Sequence, residues 1–101
     1  MTRKIEIEWD DPDELELASQ KGATLMAKVK IDGRAYGMTF VEYQMMENSI
    51  ALHRKWGTPY CPTLQWDNPV LVPGITMEHI MAAVEYLVKH NLIPDSWSLE
   101  D

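Results

Sequence analysis

Cysteine occurs once in this chain, at Cys61, so an internal disulfide is excluded and the composition suits a reducing compartment. Basic side chains are scarce: nine Lys and Arg stand against 16 Asp and Glu, for a formal charge of −7. Phosphate contact needs clustered Lys and Arg, so direct nucleic-acid binding is not expected. No apolar run reaches the roughly 18 residues of a membrane helix, and the opening Met1-Thr2-Arg3-Lys4-Ile5 has no hydrophobic signal core. We therefore expect a cytoplasmic protein without a membrane partner. Glycine is also sparse. Gly33 and Gly37 fall in a hairpin pattern, while Gly22, Gly57 and Gly74 stand alone, so no Gly-rich phosphate loop exists. Cys-x-x-Cys, His-x3-His and calcium-loop patterns are missing, and no metal or cofactor is expected. A chain of 101 residues forms one domain with one core, too short for a cofactor domain beside a substrate domain.

The charge is segregated. Residues 1–16 carry −5, residues 17–55 carry +3 and residues 56–101 carry −5. Such segregation concerns partners and solubility more than fold.

Residues 4–10 alternate, with Ile5, Ile7 and Trp9 on one face and Glu6, Glu8 and Asp10 on the other, the pattern of a half-buried strand. Asp11-Pro12-Asp13-Glu14 reads as a helix start, with Asp11 as cap, Glu14 as capping-box carboxylate and Lys21-Gly22 as the end. Glu14-Leu15-Glu16-Leu17 also alternates like a strand, so helix and strand both remain open over 12–21. Asp32-Gly33 is a favoured two-residue hairpin turn. Closing there sets Leu25 opposite Phe40, Ala27 opposite Met38 and Val29 opposite Tyr36 on one face, and Lys28 and Lys30 on the other. The basic hairpin face and the acidic first strand suit neighbouring places in one sheet.

Residues 41–56 read as an amphipathic helix with Val41, Met45, Leu52 and Trp56 facing the core and Met46, Ile50 and Tyr43 extending that face. An irregular connection over about 57–74 holds Pro59, Pro62, Pro69 and Pro73, with a brief strand at 70–72. Thr76 caps a final helix whose apolar stripe runs Met77, Ile80, Met81, Val84, Leu87 and Val88. An acidic tail, 95–101, carries Trp97 and Leu99. The expected class is α+β: a small, mainly antiparallel sheet with two main helices packed on one face.

Two surfaces compete as contact sites. Glu6, Glu8, Asp10, Asp13 and Glu16 can imitate a phosphate backbone and occupy a basic surface on another protein, or they can be a solvated strand face and a helix cap. Trp56, Tyr60 and Trp66 in the connection can form an aromatic contact surface, or fold back on the core. Cys61 and His53 lie eight residues apart, and nothing in the sequence fixes them as nucleophile and base. Glu42, Ser49 and His53 share one helical stripe, which cannot converge as a catalytic triad does. No catalytic residue is assigned. The expected function is a non-enzymatic, acidic protein-interaction domain. One concrete version is an inhibitor of a nucleic-acid-handling protein, such as a phage- or plasmid-borne antagonist of a host system that acts as a DNA mimic. The alternatives are a structural or regulatory subunit binding through the 56–74 connection, and a small-ligand binder. Homo-oligomerisation remains open.

Overall fold

The computed structural model describes residues 3–99. Four strands form one sheet in the order β1 (Ile5–Glu8), β2 (Ala27–Ile31), β3 (Arg34–Glu42), β4 (Pro69–Val72). β1 to β3 are antiparallel, and β4 runs parallel to β3. Around the sheet lie α1 (Glu14–Lys21), α2 (Tyr43–Trp56), the single turn α3 (Pro62–Gln65) and α4 (Met77–Lys89). The α+β class and the mainly antiparallel sheet are as the sequence implies.

The hairpin closes at Asp32 and Gly33, both with positive φ, as a two-residue turn of this kind requires. Its register matches the sequence pattern: Ala27 pairs with Met38, Lys28 with Gly37, Val29 with Tyr36 and Lys30 with Ala35. The agreement ends before Leu25. Ala23 bridges Val41, so four steps of chain (23 to 27) run beside three (38 to 41). This extra residue breaks the alternation, as a bulge does. Thr24, rather than Leu25, meets Phe40: Thr24 N–H donates to the Phe40 carbonyl at 2.9 Å, and Phe40 N–H donates to Thr24 Oγ1 at 3.0 Å. Leu25 turns out to solvent at 66 % exposure, which corrects the expected Leu25–Phe40 pair.

Residues 14–21 are helical, which settles the open choice there. The helix begins at Glu14 with Asp13 as its cap position, two residues later than the Asp11 cap the sequence suggests. Asp11 Oδ1 instead accepts from Asp13 N–H at 2.9 Å, forming a side-chain-closed turn just ahead of the helix. Glu14 makes no capping box. It is buried and accepts from Leu25 N–H at 2.8 Å, which ties the first turn of α1 to the bulge.

The core lies on one sheet face. Ala27, Val29, Met38, Phe40, Val70 and Val72 meet Ile80 and Val84 of α4 and Ala18 of α1. Two helices thus cover that face, and the second is α1 rather than the longer α2. In α2 only Met46 is buried, while Tyr43, Ile50, Leu52 and Trp56 are exposed. The expected inward face of 41–56 is corrected on two counts. Val41 and Glu42 belong to β3. The covered stripe of the helix runs through Met45, Met46, Ser49 and His53: Met45 lies beside Gly22 at one end, and the chain after Gly57 folds back onto His53 at the other. α4 starts as its sequence indicates, with Thr76 Oγ1 accepting from His79 N–H at 3.1 Å. After Pro94 the chain returns to the sheet: Ser98 bridges Tyr36, and Leu99 N–H donates to the Ala35 carbonyl at 2.9 Å. Glu100 and Asp101 of the acidic tail lie outside the described residues.

Candidate interaction surfaces

The acidic segment divides in two. On β1, Glu6 stands opposite Lys30 and Glu8 opposite Lys28, as the alternating charges suggest. Lys30 Nζ lies 2.8 Å from Glu8 Oε1, and Lys4 Nζ lies 3.1 Å from Glu6 Oε1. Arg3 and the Lys4 backbone hold Asp32 at the hairpin tip. The first strand is thus neutralised within the fold, Glu8 by Lys30 from the positive middle of the sequence and Glu6 by its near neighbour Lys4. The hydrogen bond from Lys30 holds the Glu8 carboxyl below its ordinary range, and the same bond raises the Lys30 ammonium above its own.

These shifts fix the sign of a pH dependence. A lowered carboxyl contributes stability above its unfolded value and loses it as pH falls through the folded value; a raised ammonium contributes below its unfolded value and loses it as pH rises through the folded one. The pair therefore acts across the whole neutral range. Lys30→Met is expected to return the Glu8 titration upward into the ordinary carboxylate range, followed by NMR of its carboxyl carbon against pH. An unmoved midpoint would show that the Lys30 contact does not hold in solution.

The remaining acids differ. Asp10, Asp11, Asp13 and Glu16 are exposed, and among the described residues none has a cation within 4.0 Å. Asp13 at the cap and Glu16 in the first turn lie at the positive end of α1, where carboxylates are favoured by about 0.3–1 kcal/mol each at low salt. Asp10, Asp13 and Glu16 thus stay exposed and without an ion pair on the turn and helix start that follow β1, unlike Glu6 and Glu8.

The aromatic connection does not form one surface. Trp56, at the end of α2, is 60 % exposed and stacks edge-on to His53 with centroids 5.5 Å apart. Tyr60 lies on the other side of His53 at 5.0 Å and donates its hydroxyl hydrogen to Gln65 Oε1 at 3.1 Å. Trp66 is half-buried beyond α3 and takes no part in this group. His53 Nδ1 is 2.9 Å from Thr58 Oγ1, so the imidazole ties the end of α2 to the following chain. Cys61 is exposed, and with His53, Pro59, Tyr60 and Gln65 it borders a shallow cavity of about 320 Å³. Among the described residues no cluster of His, Cys, Asp and Glu suits a metal ion, and no helix is long and apolar enough to cross a membrane.

A larger concavity was not foreseen from the sequence. A groove of about 650 Å³ runs beside the outer edge of β4, between Leu71, Pro69 and Pro73 on one side and His79, Ala82, Ala83 and Tyr86 of α4 on the other. Tyr43 and Trp97 also line it. Its volume lies in the range of ligand-binding clefts, about 300–1,000 Å³. The one sequence signal for it is the pair Ala82-Ala83, which leaves a gap in an otherwise bulky helix. The groove itself joins four separate segments, and no local pattern marks it. No protein-family model, curated protein or solved structure matches this chain.

Proposed function

We propose that this chain is a non-enzymatic interaction domain that occupies a basic surface of a partner protein through the ridge of Asp10, Asp11, Asp13 and Glu16. One observation carries the reading: the fold neutralises Glu6 and Glu8 with its own lysines but leaves these four carboxylates exposed and without a cation in reach. Charge of one sign gathered on the turn and helix start that follow β1 can steer the approach of a basic partner. Inhibition of a nucleic-acid-handling protein by occupying its basic cleft is one form of this function. An antagonist borne by a phage or plasmid is another statement of the same chemistry.

The test is affinity capture from the native host's lysate at low and at high salt. Exposed charge contacts are screened over a Debye length of about 8 Å at physiological ionic strength and about 3 Å at 1 M. A basic protein retained at low salt and released at high salt is the expected result. A partner held equally at both would move the contact to an apolar surface and refute the ridge.

A further inference from the structure

Helix α2 is weakly absorbed by the fold. Met46 is its only buried residue, and it packs chiefly against β3, the strand it continues. One side is covered through Met45, Met46, Ser49 and His53. A second side is polar, with Gln44 Nε2 donating to Asn48 Oδ1 at 3.0 Å. The third side is different. Tyr43, Glu47, Ile50 and Arg54 follow one another at steps of four, three and four, which lines them up along one face of a helix. All four are exposed, Tyr43 at 48 % and Ile50 at 39 %. Among the described residues neither Glu47 nor Arg54 has an opposite charge within 4.0 Å. The face thus carries an unpaired acid and an unpaired base on either side of an exposed isoleucine.

Such a face is complementary to its own reverse, and that selects the occupant. We propose that two copies of this chain pair through this side of α2, antiparallel and about a two-fold axis. An axis at the midpoint of Glu47 and Arg54 falls between Ile50 and Ala51. Each Glu47 then lies across from Arg54 of the second copy, the two Ile50 side chains meet beside the axis, and Tyr43 stands at the end of the pair opposite Thr58. This is the isologous contact of a symmetric dimer, in which each residue meets its counterpart's partner twice. A parallel pair would set Glu47 on Glu47 and Arg54 on Arg54 and would align the two helix dipoles; the antiparallel pair avoids both costs. A foreign protein would need acid and base in the reversed order, which symmetry gives a second copy outright. Net charge does not oppose the contact at this element either: α2 carries +1, Glu47 against Arg54 and Lys55, in a chain of −7. Ile50 and Tyr43 supply the buried apolar area, and the charges fix direction and register.

Sedimentation velocity on the full chain over a concentration series is the test. The sedimentation coefficient is expected to rise from monomer to dimer in the micromolar range, by about 100 µM, as suits a single helix pair of modest area. Glu47→Arg and Arg54→Glu should each weaken the dimer by about tenfold or more, because each sets like charges across the axis. The two substitutions together should restore it. So should an equimolar mixture of the two single variants, whose charges are opposite at both positions. Arg and Glu are both good helix formers and these sites are exposed, so far-UV circular dichroism should show the fold unchanged. Ile50→Glu, which places two acids beside the axis, should leave monomer alone. A monomer at every concentration up to about 1 mM would overturn the proposal. So would a dimer indifferent to Ile50→Glu or to the single charge changes, or one that they break and the double change does not restore. A variant with the acids of residues 10–16 neutralised should dimerise like the natural chain, so the ridge and the dimer stand or fall separately.

Discussion

Phe40→Ala is expected to remove about 3–5 kcal/mol of stability, a large share of the roughly 5–15 kcal/mol available to a domain of this size. Phe40 is fully buried in the central strand. Its ring meets Trp9 edge-on with centroids 6.3 Å apart, which brings the chain after β1 onto the core. Its backbone is held by Thr24 on both its N–H and its C=O. The substitution keeps the backbone bonds and empties the site of the ring, so the loss is one of transfer and cavity together. Chemical denaturation with two probes, tryptophan fluorescence and far-UV circular dichroism, measures it. A loss below about 1 kcal/mol would mean the site collapses around the gap and that the core is not centred here.

Gly22→Val is the second large effect, at about 2–3 kcal/mol. Gly22 has φ +86°, a left-handed conformation that a β-branched residue strongly resists. A Cβ there would also lie 3.3 Å from Met45 Cε and 3.4 Å from Met45 Cβ. The position is a junction: Gly22 N–H donates to the Ala18 carbonyl at the end of α1, and Gly22 C=O accepts from Glu42 N–H at the start of α2, both at 2.8 Å. Strain at this point therefore disturbs two helices and the bulge between them. Gly22→Ala, with the same φ penalty but no branched carbon, should lose less than Gly22→Val in the same denaturation experiment. Equal and negligible losses would place no strain at this junction.

What the sequence reveals and what it hides follow from the range of the forces involved. The hairpin register is legible because turn chemistry and period-two alternation agree on the same pairing, and a slip by one would bury Lys28 and Lys30. The pairing of β1 with β2 is legible for the related reason that opposite charges face each other across the two strands. The bulge at 24–26 is not, because one extra residue alters no composition and is defined by a contact with Glu14 eleven residues back. The inward face of α2 is misread because Val41 continues the apolar pattern of the helix although it belongs to the strand before it. The covered side of that helix is set at its start by Gly22 beside Met45 and at its end by Thr58 and Tyr60, which pack back on His53. Of the candidate site, pairing of the first strand's acids with the hairpin lysines is implicit in the strand pairing, but Glu6, Glu8, Asp10, Asp13 and Glu16 read as one segment in the sequence and only the fold divides them. The groove is not legible there, since Leu71, Tyr86 and Trp97 meet only through the tertiary fold.

The central claim is that charge in the ridge, and not acidity in general, makes the contact. Two variants decide it when compared for binding to the captured partner by calorimetry across a range of salt: Asp10→Asn, Asp11→Asn, Asp13→Asn and Glu16→Gln together, and Glu6→Gln with Glu8→Gln. The account predicts that the first variant loses binding by about a hundredfold or more at low salt and shows little further salt dependence, while the second binds within a few-fold of the natural chain. A ridge variant that binds like the natural chain, or a loss confined to the β1 pair, would contradict it.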